Sequence, residues 1–271
     1  MKWRKAKAEP RIERAGEWLH EAHRRRERFA PLPPELAPRD FAEAYAIQGQ
    51  FVGRRAAELG PVAGYKVALT TPAMRAMVGL GDSVAGDMLE STIRRGEARV
   101  RAADYQRLIV EFEIAFEMAE DLPAIDAPYT RERIARSVAA AMPALELADD
   151  RHADYAQLKS HALMLAADNG WNEGAVLGAA VHDWRGIDLA ALRGAASING
   201  RPVGEGQGRD VMGHPLDALA WLANNLASRG LGLWRGDVVI TGSLVTSKFP
   251  KAGDRVRFEA GGLGAVDLQI L

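Results

Sequence analysis

Apolar and polar positions alternate from Leu108 to Phe116 (LIVEFEIAF), which predicts a β-strand with Val110, Phe112, Ile114 and Phe116 on one face. Glu111 and Glu113 share the opposite face. Upstream the period changes. Ile12, Ala15, Trp18, Leu19 and Ala22 recur at helical spacing, which predicts an amphipathic helix from Pro10 to about Phe29. After the proline-rich connector APLPPELAPRD a second helix is expected from about Phe41 to Leu59, closed by Gly60. Val62 to Leu69 reads as a strand with Lys66 at its centre, and Thr70-Thr71-Pro72 opens a short helix through Met77. Gly79 to Met88 reads as a glycine-punctuated loop holding Asp82 and Asp87.

Further on, Thr130 caps an expected helix to about Ala141 that Pro143 ends, and PALELADD is expected to be a strand with Glu146 between Leu145 and Leu147. A helix is expected from Tyr155 to Ala166, then a tight turn carrying Asp168, Asn169 and Asn172, then a strand from Ala175 to Val181. Asn199-Gly200 marks a β-hairpin. His214-Pro215 opens a helix that Gly230 ends, and DVVITGSLV, RVRFEA and AVDLQIL are short strands. Alternation of these periods makes the chain α/β. A helical N-terminal part, 1–61, is expected to pack on a β-rich unit, 62–271.

Composition narrows the chemistry. A length of 271 residues with 48% hydrophobic content supports a substantial core. Lys plus Arg at 35 against Asp plus Glu at 36 leaves a formal charge of -1, without the basic excess that nucleic-acid binding requires. There are no cysteines, so carboxylate and histidine ligands are what remain for a metal. No apolar run approaches the roughly 18 residues of a membrane span. MKWRKAKAEP is charged without an apolar stretch after it, so no secretory signal is visible and a cytoplasmic protein is expected.

Two carboxylates facing one way from an apolar strand repel unless a cation lies between them, and hard oxygen ligands suit Mg²⁺ or Mn²⁺. Taken alone, Glu-x-Glu is better explained by a strand with one solvated face. Glu146, embedded between leucines, adds a third acid that needs a partner. The three together would form an all-oxygen shell with open positions for water or substrate. Lys66 is an anti-aggregation charge if its strand lies at an edge; in a pocket it could bind an enolate or carry protons. The Asn169 turn reads either as an Asx cap or as part of a site. The run Arg24, Arg25, Arg26 reads as a solvated helix end, and Trp221 as packing.

The segments GYKVALTTPAM, EFEIAFEM, PALELADDR, LAADN, NGRPVGEG, GHPLDALAWLANNLASRGLGLWRGDVVITGS and GGLGAV keep the order and approximate spacing of a known family from Gly64 to Val266. In these segments the chain resembles the 2-keto-4-pentenoate hydratase and 4-oxalocrotonate decarboxylase family, a branch of the fumarylacetoacetate hydrolase superfamily. That resemblance implies a mixed β-sheet roll with an N-terminal helical part. It implies Glu111, Glu113 and Glu146 as Mg²⁺ or Mn²⁺ ligands, Lys66 and Asp82 as catalytic residues, and Asn169 and Ser243 as pocket residues. Two departures bear on substrate choice: Phe112 stands where proline is frequent, and ADNGW replaces ADNAS, placing Trp171 in the pocket.

The implied activity is a hydro-lyase of aromatic catabolism. It takes a 2-hydroxy-2,4-dienoate, protonates C5, adds water at C4 and releases a 4-hydroxy-2-oxo acid, with the metal stabilising dienolate charge. The same stabilisation would serve decarboxylation of a 2-oxo-3-enedioate, the competing reading. A reading of another class is a non-catalytic metal-binding partner subunit, since hydratases and decarboxylases of the family associate. A homo-oligomer is expected in either case.

Overall fold

The computed structural model describes residues 9–271; the charged N-terminal stretch behind the expected absence of a secretory signal falls largely outside the described residues. In chain order the helices are α1 (Pro10–Arg24), α2 (Phe41–Leu59), α3 (Pro72–Val78), α4 (Arg131–Arg136), α5 (Leu163–Ala167) and α6 (Pro215–Ser228). The strands are β1 (Val62–Ala68), β2 (Val84–Leu89), β3 (Ile93–Arg95), β4 (Ala98–Val100), β5 (Leu108–Met118), β6 (Val138–Asp149), β7 (Asn172–Leu177), β8 (Arg193–Ile198), β9 (Arg201–Gln207), β10 (Val238–Lys248), β11 (Arg255–Ala260) and β12 (Gly264–Ile270).

Two mixed sheets result. One has the order β2-β1-β10-β5-β6-β7-β3, the other β4-β12-β11-β8-β9. The N-terminal helices share the main core: Ile12, Leu19 and Phe51 belong to the same buried apolar cluster as Phe112, Phe116 and Phe258. Among the described residues no helix is long and apolar enough to cross a membrane.

The helix signals hold where local chemistry supports them. Asp40 accepts from the Glu43 N–H to cap α2, Gly60 closes it at φ 84°, and Thr71 caps α3 with Pro72 in its first turn. The Asn199-Gly200 turn joins β8 to β9 with both residues at positive φ, as a two-residue hairpin requires.

Four expectations are corrected. The helix from Thr130 stops at Arg136, and β6 begins at Val138 and continues through Pro143. Ala140, Ala141 and Met142 pair with Glu117, Phe116 and Ala115 of β5, so ladder formation overrides the helix preference of an alanine run. Pro143 is tolerated because β7 has ended there. Its carbonyl accepts from Gly178 beyond the strand, and the missing donor faces the same side. The expected loop through Met88 contains β2, buried along its whole length and antiparallel to β1. Gly86 belongs to this strand because a Cβ there would lie 2.7 Å from the Asn169 carbonyl oxygen.

The expected helix over 155–166 is instead a 3₁₀ turn, Leu158–His161, followed by the short α5. Asp154 accepts from the Ala156 N–H and the Gln157 side chain, a local alternative to helical hydrogen bonding. Finally, the strand expected from Ala175 to Val181 starts at Asn172 and ends at Leu177, with Val181 forming only an isolated bridge to Ala141.

α1 is fastened to the rest of the chain by charge. His23 Nε2 lies 2.6 Å from Asp168 Oδ1 and its Nδ1 lies 3.4 Å from Glu173 Oε1. Arg151 binds the other oxygen of Asp168 at 2.5 Å, and Arg55 pairs with Glu173. Burial opposes the His23 imidazolium, but the charge and hydrogen bond of Asp168 outweigh it and raise the pKa. A group whose pKa rises on folding stabilises the fold below its unfolded value, and loses that contribution as pH climbs through the folded one. The melting temperature is therefore expected to fall by a few degrees as pH is raised above about 6.5. His23→Gln should flatten that slope in a pH series of thermal melts; an unchanged slope would assign the effect elsewhere.

Candidate active site

The site is built on neighbouring strands. β5 runs antiparallel between β10 and β6, and its register sets Glu111 directly opposite Glu146. Glu113 follows on the same face of β5. Glu113 and Glu146 are fully buried, and Glu111 is partly open to a cavity. One carboxylate oxygen from each of the three lies within 4.8 Å of the others. Lys66, buried on β1, places its Nζ 2.9 Å from Glu146 Oε1. β1 lies between β2 and β10, so Lys66 is not an edge charge.

Each acid is held by one oxygen. Glu113 Oε2 accepts from the Gly242 N–H at 2.6 Å, Glu146 Oε1 from Asn172 Nδ2 at 2.9 Å, and Glu111 Oε1 from Ser247 Oγ at 2.5 Å. Glu113 Oε1 and Glu146 Oε2 are buried without a hydrogen-bond partner. Two orphaned carboxylate oxygens in a three-acid cluster fit a hard divalent cation such as Mg²⁺ or Mn²⁺. The electrostatics agree. Burial, then the charge of Glu146, pushes the Glu111 carboxyl up; burial together with Glu146 and Glu111 pushes Glu113 well up. Burial opposes the Lys66 ammonium, but Glu146 and Glu111 outweigh it and raise its pKa, so the lysine is held protonated.

The turn after α5 presses on the lysine. Asn169, Gly170 and Trp171 all have positive φ, at 54°, 55° and 61°. A Cβ on Gly170 would lie 2.8 Å from Lys66 Cε, so close approach requires glycine there. Left-handed backbone costs a non-glycine residue roughly 1–2 kcal/mol, and such strain concentrates at functional sites. Asn169 does not line the cavity. Its side chain accepts from Asp87 N and donates to Asp87 O at 2.7 and 2.9 Å, tying the turn to β2.

Trp171 and Ser243 do line the cavity, which has a volume of about 370 Å³. Ser243 Oγ accepts from the Phe112 N–H at 2.8 Å and donates to the Val245 carbonyl at 2.7 Å. Asp82 is not brought to this cavity. It lies exposed in the adjoining cleft, accepting from Ser83 N at 2.7 Å and Trp221 Nε1 at 3.0 Å. Ser247 and Gly242 gave no signal in the sequence, because the irregular register between β10 and β5 decides which groups reach the acids.

The fumarylacetoacetate (FAA) hydrolase C-terminal family matches residues 69–271. The chain belongs to the FAA hydrolase family. It is 32% identical over 262 residues to a 2-hydroxyhexa-2,4-dienoate hydratase of Comamonas testosteroni, covering 95% of this chain and 97% of that one. It is also 32% identical over 256 residues to a 2-keto-4-pentenoate hydratase of Paraburkholderia phymatum, covering 94% and 96%. Among FAA hydrolase-type folds it resembles 4-oxalocrotonate decarboxylase from Pseudomonas putida G7, solved with magnesium and adipate. There the TM-score is 0.88 at 23% identity, over 99% of this chain and 100% of that one. The two mixed sheets and N-terminal helices are those of this fold.

The acid cluster generates a two-sided expectation. Glu113→Gln removes one of three repelling charges, so the metal-free protein should melt a few degrees higher above neutral pH. Its Mn²⁺ affinity, read by calorimetry, should fall at least about tenfold. Unchanged affinity would exclude Glu113 as a ligand.

Proposed function

We propose that this chain is a divalent-metal-dependent hydratase that adds water to a 2-hydroxy-2,4-dienoate and releases a 4-hydroxy-2-oxo acid. The observation that carries the reading is the pair of unpartnered carboxylate oxygens on Glu113 and Glu146 beside buried Lys66, opening through Glu111 into a cavity. Identity of about a third to dienoate hydratases over nearly the whole chain supports the reaction class.

Glu111, Glu113 and Glu146 would hold Mg²⁺ or Mn²⁺. A cation bound there supplies Lewis-acid stabilisation of negative charge on the substrate's C2 oxygen. The chain's own residues do the rest. Lys66, 2.9 Å from Glu146, would deliver a proton to C5 of the dienolate, giving the 2-oxo-3-enoate. Water then adds through its oxygen at C4 and a proton arrives at C3, so the net change is addition of one water. Lys66 would be recharged by the proton lost from the 2-hydroxyl. The turn at Gly170 packs close against the lysine side chain, within 2.8 Å of Cε for any added Cβ. Asp82 would take part only if its loop closed over the cavity, so we assign it no step. Asn169 acts by fixing the turn and Ser243 by fixing β10 against β5, while Trp171 walls the substrate space.

A symmetric homo-oligomer, a complex with a decarboxylase of the same family and a cytoplasmic location complete the proposal, on the family resemblance. Sedimentation of the purified chain checks the first.

The reaction is tested by incubating the chain with Mg²⁺ or Mn²⁺ and 2-hydroxypenta-2,4-dienoate and following loss of the dienoate's ultraviolet absorbance. Loss of absorbance is expected, with a 4-hydroxy-2-oxo acid as product. Lys66→Ala should lower turnover by about 10²-fold or more while leaving Mn²⁺ binding in place. Inertness towards the dienoate with turnover of a 2-oxo-3-enedioate would select the decarboxylase instead. Inertness to both with metal bound would select a non-catalytic partner subunit.

A further inference from the structure

The segment from Asp168 to Glu173 links the N-terminal helices to the acid cluster, and its side chains divide by destination. The two at its ends bind charges outside the site. Asp168, fully buried, gives one oxygen to His23 and the other to Arg151, and Glu173 pairs with Arg55. The inner ones face the site. A Cβ on Gly170 would lie 3.1 Å from Lys66 Nζ, and Asn172 Nδ2 donates to Glu146 Oε1 at 2.9 Å. That oxygen is also the one Lys66 meets at 2.9 Å, so the segment touches both members of the Lys66–Glu146 pair.

His23 joins the two ends. Its Nε2 lies 2.6 Å from Asp168 Oδ1 and its Nδ1 lies 3.4 Å from Glu173 Oε1, so one ring spans the segment. Both nitrogens can donate only in the protonated imidazole. Asn169, Gly170 and Trp171 between them are held in left-handed backbone, which persists only where the surroundings enforce it. The Trp171 N–H donates to the Asp168 carbonyl at 2.9 Å, so the turn moves with Asp168. Without the imidazolium, Asp168 would lose the partner of Oδ1 while fully buried. A buried carboxylate short of partners moves towards water or another donor. Such a movement passes directly to Gly170 and Asn172.

We infer that His23 is a positioning residue for the metal site: by stapling Asp168 to Glu173 it fixes the turn that sets Asn172 against Glu146 and Gly170 against Lys66. His23 itself does not line the cavity. Removing a hydrogen-bond partner of a metal ligand typically costs about 10–100-fold in metal affinity, and His23 stands one step beyond such a partner, Asn172. The inference rests on the metal reading of Glu111, Glu113 and Glu146, and it makes α1 part of the site as well as part of the core.

Two measurements on the full chain test it: Mn²⁺ calorimetry well below every melting transition, and hydrogen exchange of the 168–173 amides without metal. His23→Ala is expected to lower Mn²⁺ affinity at least about fivefold and to speed exchange across the segment. His23→Gln, which keeps a donor for Asp168, should recover much of both. Leu19→Ala is the control, since it opens a gap in the buried face of the same helix and leaves the staple alone. It should lower the melting temperature yet hold Mn²⁺ affinity within about twofold of the unaltered chain. Should His23→Ala fail to fold, Arg55→Gln releases the Glu173 end with the same two expectations. Unchanged affinity in the folded variant overturns the inference. So does an equal loss in Leu19→Ala, or a His23→Gln no better than His23→Ala. If the unaltered chain binds no Mn²⁺, the metal reading fails and exchange decides alone: faster exchange at 168–173 in His23→Ala but not in Leu19→Ala upholds the staple, and equal exchange defeats it.

Discussion

An unfavourable contact organises this molecule. The β5–β6 register sets Glu111 against Glu146 with Glu113 alongside, where like charges directly opposite one another destabilise a sheet. Two unit charges about 5 Å apart repel by roughly 3 kcal/mol at an effective dielectric near 20, and three acids make three such pairs. Lys66 touches one of them and cannot offset all three. Gly242, Asn172 and Ser247 each satisfy one carboxylate oxygen, which orients the acids without neutralising them. Protons on the acids or a cation among them would relieve that repulsion, while the strand pairing holds the acids side by side.

Much of this was legible in the sequence because strand alternation is a local signal. LIVEFEIAF placed Glu111 and Glu113 on one face without any knowledge of the fold, and Glu146 between leucines marked a buried acid. Their convergence was not legible from spacing alone, since it depends on which strands pair and in which register. The resemblance of the motifs supplied that step. Where expectations failed, tertiary pairing overruled local preference. The alanines of 139–141 are good helix formers but lie beside β5, and Pro143 ends a helix in isolation yet sits harmlessly where β7 no longer pairs. Loop chemistry was harder still. Asp82 and Asp87 flank a segment that reads as a turn because of its glycines, yet those glycines include one that lets β2 pass beneath Asn169.

The N-terminal helices read as packing elements in the sequence, and they are; they also reach towards the site. His23 of α1 grips Asp168, the residue before the turn that presses on Lys66, and Arg55 of α2 grips Glu173 just after it. The turn is thus clamped at both ends by charges from helices outside the matched family region, while its middle is held by contact with the lysine.

The Asn169 amide has another role at the margin of the larger sheet. β2 is an outermost strand, and the backbone groups of Ala85 and Asp87 point away from β1. Tyr45 accepts from the Ala85 N–H, Gln48 donates to the Ala85 carbonyl, and Asn169 takes both groups of Asp87. Side chains thereby stand in for a missing neighbouring strand, rung by rung. An open margin of that kind would otherwise template pairing with another chain. Asn169, which fixes the turn beside the lysine, therefore also covers part of the sheet's margin, so loosening the turn would uncover the Asp87 backbone groups as well.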